Sequence, residues 1–409
     1  MVSMQTKILK NSIRLLGAGL LCFTGAAALA QMAPASTAIR IGVIAPLSGP
    51  GADFGVPMLN GVKLAVDEIN AAGGYLGRKL ELLVRDDEAN PDKGRKVSEE
   101  LAAQKIAVAI GFCNTGVAAK SLDVFQTQKI PLIIPCATGT GLTATYPGPE
   151  SYIFRTSAKD AIQASFVVDD IVKRGWTKVA VFADSTAYGE SGMKDVVAAL
   201  TKHKLTPAYV ARFPIGVKDL SNELKAARDA GANVVFSYSL GPESVVIATG
   251  RKELAWKVPQ VGPWSLSFPA YVNVAKDAAE DTLMAQTFIV EQRGNERRAA
   301  FLSSFAFKYG NKHVASIPAA QAYDSMYLLL YSLFGLRDSS LSGPAIKASL
   351  ENLDKVYHGA VATYDRPFST RDKDAFTANM LLLGMVKGGV VTYAYPADMK
   401  RNVFAQRKQ

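Results

Sequence analysis

Histidine is nearly missing from this 409-residue chain, and no cluster suited to acid–base or metal chemistry stands in for it. The three histidines are His203 within Lys-His-Lys, His313 after a lysine and His358 beside Gly359. All read as exposed or turn positions, so neither metal ligation nor catalysis is expected of them. Cysteine is as scarce: Cys22 lies in the N-terminal apolar run, and Cys113 and Cys136 each follow a predicted strand, without C-x-x-C spacing. In an oxidising compartment these two could close a disulfide, or they could be two small buried residues near the mouth of a cleft. Long basic runs are absent. Lys194, Lys202, Lys204 and Lys225 are scattered over helix faces without interleaved aromatics, which excludes nucleic acid as a partner. No G-x-x-x-x-G-K-[ST] loop exists. The segment Gly139-Thr140-Gly141 to Ala144 fits a dinucleotide fingerprint, but Pro147 and Pro149 forbid the helix that should follow. Gly189-Glu190-Ser191-Gly192 falls short of a nucleophile elbow, and Ser191 reads as part of a first helical turn.

Only one long apolar run is present, and it is N-terminal. Lys7, Lys10 and Arg14 precede an uncharged stretch over 15–30 that ends Ala28-Leu29-Ala30. At about sixteen residues it is shorter than the roughly twenty a spanning helix needs, and it reads as a secretory signal peptide, residues 1–30, cleaved before Gln31. Leu21 stands before Cys22 where a lipobox needs a small residue, so a lipoprotein is disfavoured. The expected product is exported to the periplasm. Loss of the signal takes the formal charge from +10 to +7 over 379 residues, a spread excess that aids solubility. That length suits two ordinary α/β domains.

What the chain does contain is an alternation of strands and helices. Ile41, Val43 and Ile44 make a buried-strand run, stopped by Pro46, Ser48, Gly49, Pro50 and Gly51. A helix follows with Pro57 in its first turn, Leu59, Val62, Val66 and Ile69 on one face, and Gly73-Gly74 at its end. Strands are predicted over 80–84, 106–110 and 131–134, with a helix over 116–128. After a polar Gly/Pro-rich break at 138–149 come helices over 161–174, 190–203, 220–230 and 241–252. They alternate with strands over 178–183, 208–213, 233–237 and 260–262. This rhythm indicates right-handed βαβ crossovers and parallel sheets, hence an α/β chain of two doubly wound lobes. Strands over 282–290, 361–364 and 380–385 and helices over 296–309 and 319–336 complete those lobes instead of forming a third.

An open parallel sheet binds ligands at the carboxyl ends of its strands. Here the post-strand residues are small, polar or aromatic: 45–54, 111–116 and 135–139 in the first series, 184–188, 239–243 and 263–267 in the second. Backbone amides next to the helix start at Gly116 would suit a carboxylate, although Asn114 and Thr115 could equally just cap that helix. The composition points to binding without transformation, with no cofactor.

Taken together, IGVIAPLSGPGADFG, NGVKLAVDEINAAGG, GRKLEL, DDEANP, IPLIIPCATGTGLT, YIFRTS, VAVFADSTAYGESG, Ala322-Tyr323-Asp324 and Tyr364-Asp365 resemble the periplasmic leucine/isoleucine/valine-binding proteins of ABC transporters. The resemblance covers essentially the whole mature chain. It implies a type I periplasmic binding protein: two Rossmann-like lobes joined by three crossovers near Ser157, Thr287 and Gly359. Lobe 1 would then be 31–157 and 288–359, and lobe 2 would be 158–287 and 360–409. It also implies hinge closure on a small-molecule ligand and docking on ABC transporter permease subunits. Family ligand positions carry over to Asn114 and Thr115, to Cys136, Ala137 and Thr138, and to Tyr188. The departures matter more. Trp264 stands where amino-acid binders hold the ligand's ammonium with an acid, Leu240 replaces an aromatic hydroxyl, and Phe54 replaces a tyrosine. A buried ammonium without a partner costs several kcal/mol. Unless Asp184 or Glu243 substitutes, the expected ligand is an aromatic or apolar carboxylate lacking an ammonium group. The alternatives are a true branched-chain or other amino acid binder and a ligand-sensing protein of the same fold.

Overall fold

The computed structural model describes residues 38–291, 295–310, 315–336, 340–401, 403–405 and 407–408. The expected signal peptide, Cys22 and His313 lie outside the described residues.

The first sheet grows from β1 (Ile39–Ala45), α1 (Ala52–Ala71), β2 (Leu80–Asp86), α2 (Pro91–Ala103), β3 (Val108–Gly111), α3 (Thr115–Thr127), β4 (Leu132–Ile134), a short α4 (Gly141–Ala144) and β5 (Ile153–Arg155). Its strands are all parallel in the order β2-β1-β3-β4-β5, so the winding reverses between β1 and β3. The second sheet is built from α5 (Asp160–Lys173), β6 (Val179–Asp184), α6 (Ala187–Lys202), β7 (Tyr209–Phe213), α7 (Ser221–Asp229), β8 (Val234–Tyr238), α8 (Gly241–Glu253), β9 (Gln260–Gly262), α9 (Pro269–Ala275) and β10 (Leu283–Gln286). Two later strands, β13 (Leu382–Lys387) and β14 (Val390–Tyr393), join it through antiparallel pairs, giving the order β14-β13-β10-β9-β8-β6-β7, with its reversal between β6 and β8. The chain returns to the first lobe through α10 (Glu296–Tyr309), α11 (Ser316–Phe334) and α12 (Gly343–Glu351). A small sheet follows from β11 (Tyr357–His358), β12 (Thr363–Tyr364) and, after β13 (Leu382–Lys387) and β14 (Val390–Tyr393), β15 (Phe404–Ala405).

Strand cores are apolar on both faces because helices cover both: Ile41, Val43 and Ile44 are buried, as are Val181, Phe182, Val235 and Phe236. Helices α1 and α11 pack closely because Gly61 lacks a side chain; a Cβ there would stand 2.0 Å from the Ala319 carbonyl oxygen. Asp324 of α11 ties the small sheet down. It accepts hydrogen bonds from the N–H groups of Ala360 (2.7 Å) and Val361 (2.8 Å) and from the hydroxyls of Tyr357 (3.0 Å) and Tyr364 (3.1 Å).

Three local expectations shift. Pro57 lies a turn inside α1, which starts at Ala52; the hydrogen bond it cannot make concerns the Asp53 carbonyl, near the helix start where the loss is mild. Helix α2 carries almost no apolar stripe, only Val97 and Leu101 among its buried residues Gly94, Val97, Ser98 and Leu101, so hydrophobic period did not reveal it. Its start is marked by the Asn90 cap, which accepts from the N–H groups of Asp92 and Lys93, and by Pro91. The third passage between lobes comes later than Gly359. Residues Thr363–Tyr364 still pair with β11 beside α11, and the chain enters the second sheet only at Leu382.

Candidate functional site

The loops after β1, β3, β6 and β8 meet where both sheets reverse, the place an α/β sheet leaves open for a ligand. Between them lies a cleft offering about 520 Å³ to the centre of a water-sized sphere, lined from the first lobe by Asp53, Phe54, Ala89, Asn114, Thr115 and Gly116 and from the second by Thr186, Tyr188, Leu240 and Glu243. Behind it is an inner chamber of about 30 Å³ on the same measure, lined by Phe54, Cys113, Asn114, Thr115, Cys136, Thr138, Tyr188, Leu240, Trp264, Ser265 and Phe268. Eight of the nine residues expected from the sequence thus surround one space. Ala137 does not line it: its side chain is buried in the core around Phe112 and Leu142, and its carbonyl accepts from Ser157 Oγ at 2.8 Å.

Among the described residues no charged side chain lines the chamber. Its wall is aromatic: Trp264 meets Phe268 edge-to-face at 5.1 Å, and Phe268 stands 5.7 Å from Phe54 across the lobes. Trp264 is held by its N–H, which donates to Gln163 Oε1 at 3.0 Å. Its indole is only 6% exposed and serves both core and chamber. Tyr188 donates to Ser265 Oγ at 3.2 Å, and Ser265 donates onward to the Ser239 carbonyl at 3.2 Å. Cys113, Ser265 and Phe268 were missed as site residues. The first two sat in post-strand loops already singled out, while Phe268 follows a 3₁₀ turn over Trp264–Ser267 that no sequence period announced.

The question of helix capping is answered by geometry. Asn114 makes no side-chain cap to α3, and Thr115 Oγ1 accepts instead from Gly139 N–H at 3.2 Å, tying the two post-strand loops together. The first turn of α3, Thr115 to Val117, therefore faces the cleft uncapped. Cys113 and Cys136 form a disulfide with Cα atoms 4.6 Å apart, directly before Asn114 and Ala137.

Several carboxylates surround this centre. Asp184 is committed to the protein: it accepts from Thr186 N–H (3.0 Å), the Thr186 hydroxyl and Leu240 N–H (3.1 Å). Glu243 accepts from Gly216 N–H at 2.9 Å with one oxygen, and its other oxygen is buried without a partner. Asp160, at the start of α5, is wholly buried, and neither of its oxygens has a hydrogen-bond partner. Burial pushes it up to about 7, against the opposing pull of the Thr138 and Tyr238 hydroxyls. The folded chain thus keeps a proton that the unfolded chain releases near pH 4, so this group's contribution to stability falls as pH rises from about 4 to about 7. We expect Asp160→Asn to gain in Tm relative to the natural protein between about pH 5 and about pH 8. A Tm difference that stays constant across that range would refute the assignment.

Of the histidines, His203 pairs with Asp169 at 2.7 Å and His358 with Thr363 Oγ1 at 3.1 Å, both away from the cleft. Among the described residues no three histidine, cysteine or acidic side chains are grouped to hold a metal, and no helix is long and apolar enough to cross a membrane.

A family profile described as periplasmic binding protein matches residues 38–389. The chain belongs to the periplasmic binding protein family. Within it, the kinship is with the branched-chain amino acid type. A Leu/Ile/Val-binding protein homolog 3 of Brucella melitensis is 33% identical over 246 residues, 60% of this chain and 66% of that protein. Among solved structures, the branched-chain amino acid transporter substrate-binding protein LivJ of Streptococcus pneumoniae, in complex with isoleucine, superposes with a TM-score of 0.73 at 23% identity, covering 87% of this chain and 97% of its own. A solute-binding protein of an ABC transporter from R. palustris, in complex with benzoate, gives 0.74 at 19% identity, covering 87% and 95%. Both likenesses confirm the two-lobed fold of this periplasmic binding protein.

Proposed function

We propose that this protein is exported to the periplasm and serves an ABC importer by capturing a small carboxylate with an aromatic or apolar body, then docking closed on permease subunits. The observation that carries the reading is the uncapped start of α3 opening onto an aromatic chamber with no charged wall. Free N–H groups and the positive end of the helix dipole stabilise an anion, and Thr115 and Thr138 add hydroxyls beside it. Phe54, Trp264, Phe268, Leu240 and the disulfide offer only apolar surface to the rest of the ligand. An ordinary α-amino acid calls for an acid beside its ammonium, and among the described residues none lines the chamber; Asp184 is committed to Thr186 and Leu240. The benzoate complex of the R. palustris protein shows that the fold accepts such ligands, while the isoleucine complex of LivJ keeps the amino acid as the second reading.

A thermal-shift screen of refolded, ligand-stripped protein against leucine, valine and benzoate-type acids tests this. Aromatic acids should raise Tm, and leucine should not. Stabilisation by leucine or valine alone would sink the reading. Trp264→Ala should weaken the best aromatic hit by about tenfold or more, since it removes the largest apolar wall. Unchanged affinity would show that this indole does not face the ligand.

A further inference from the structure

The outer cleft and inner chamber differ in charge. Asp53, Glu88 and Glu243 line the outer cleft, and among the described residues no lysine, arginine or histidine does. Glu88 is paired with Lys93, which stands outside the lining, and Asp53 lies in the first turn of α1, where its charge complements the helix start. Glu243 also stands in a first helical turn, that of α8, but differs from the other two in being buried with one oxygen unmatched. It is 3% exposed, Gly216 N–H satisfies one carboxylate oxygen at 2.9 Å, and the second has no partner. Helix capping does not account for it, because the N–H that a third-position glutamate would cap, that of Leu240, already bonds Asp184 at 3.1 Å. A buried carboxylate oxygen left without a donor is costly, and a ligand that supplies the donor recovers that cost on binding.

We propose that Glu243 forms a second ligand subsite, in the outer cleft, for a protonated amine carried at the end of the ligand away from its carboxylate. The inference rests on the carboxylate reading above and refines it. The ligand is bifunctional, with an anion at the start of α3 in the first lobe, an apolar or aromatic body against Phe54 and Phe268, and a cation in the second lobe against the Glu243 carboxylate, whose full charge outweighs the partial positive charge at the start of α8. Such a ligand touches both lobes with opposite charges, so its full binding energy is realised only when the lobes close around it. Placing the cation in the outer cleft also explains why the chamber itself needs no acid at Trp264.

The test compares benzoate, 4-methylbenzoate and 4-(aminomethyl)benzoate by calorimetry on the ligand-stripped full chain and on Glu243→Gln, whose amide oxygen still accepts from Gly216. In the natural protein the aminomethyl compound should bind about 10- to 100-fold tighter than the methyl compound, the range of a charge-assisted hydrogen bond. Glu243→Gln should erase that gain and leave benzoate affinity unchanged, which also shows that the variant folds. If benzoate and 4-methylbenzoate bind but the amine brings no gain, or the gain survives in Glu243→Gln, the subsite is refuted and the carboxylate reading stands. If no aromatic carboxylate binds, both fall.

Discussion

Replacing Arg155 by methionine should cost the folded protein about 3–5 kcal/mol, measured as urea unfolding at neutral pH, because it leaves a buried carboxylate without its main partner. Arg155 closes β5 and is wholly buried. Its Nε donates to Asp374 Oδ1 at 2.7 Å, its Nη1 to the carbonyls of Thr138 (3.1 Å) and Gly139 (2.7 Å), and its Nη2 to Thr143 Oγ1 at 3.1 Å. Lys159 Nζ adds a bond to Asp374 Oδ2 at 3.1 Å. Burial alone would push Asp374 up, but Arg155 and Lys159 outweigh it and hold the carboxyl below its ordinary value. A depressed carboxylate contributes stability above its unfolded pKa and loses it as pH falls through the folded one, so the cost of the substitution should shrink in acid. The guanidinium also fixes the carbonyls of the Thr138 loop behind the ligand chamber. A second variant, Arg155→Met with Asp374→Leu, should recover much of the stability but not the ligand affinity. Recovery of both would show that Arg155 has no positioning role.

Reducing the Cys113–Cys136 disulfide should lower stability by about 3 kcal/mol, the chain-entropy value for a closed loop of this size, read as the shift in unfolding midpoint with and without reductant. The bridge joins residues 23 apart in sequence at the ends of neighbouring parallel strands. Its sulfurs line the chamber, and it immediately precedes Asn114 on one side and Ala137 on the other. Phe112, next to it, is held at φ 56°, a region an L residue adopts only when its surroundings impose it. Reduction should therefore weaken ligand binding as well as stability, since two anchored loops become free to separate. Identical unfolding curves in oxidised and reduced protein would refute the structural role. Unchanged Kd in folded, reduced protein would refute the positioning role.

Much of this was legible in residues alone. The alternation of apolar strand runs with helix-period segments defined two wound lobes, because strands buried on both faces must be apolar throughout and covering helices must carry one apolar stripe. The rule that ligands sit beyond the carboxyl ends of parallel strands marked the loops, and the family resemblance then picked Asn114, Thr115, Cys136, Ala137, Thr138 and Tyr188 within them. Where the local signal was weak, reading failed for a physical reason. Helix α2 is stabilised by its Asn90 cap and by packing on α3, so its mostly polar surface hides it. Phe268 reaches the chamber through a 3₁₀ turn without period, and Ala137 points into the core because alternate residues after a strand face opposite sides.

What the sequence by itself determined was the family, the α/β class and which loops could hold a ligand, since these follow from local pattern and strand polarity. Tertiary structure alone decided three matters. It showed that Cys113 and Cys136 pair, because disulfide formation depends on two loops lying side by side. It showed that Asn114 leaves the start of α3 open where the sequence allowed a cap equally well. And it separated Asp184 from Glu243: both were candidates for an acid at the site, but hydrogen bonds from Thr186 and Leu240 engage the first and leave the second with a free oxygen. Whether a carboxylate is available depends on what donates to it in space, and spacing along a chain does not carry that information.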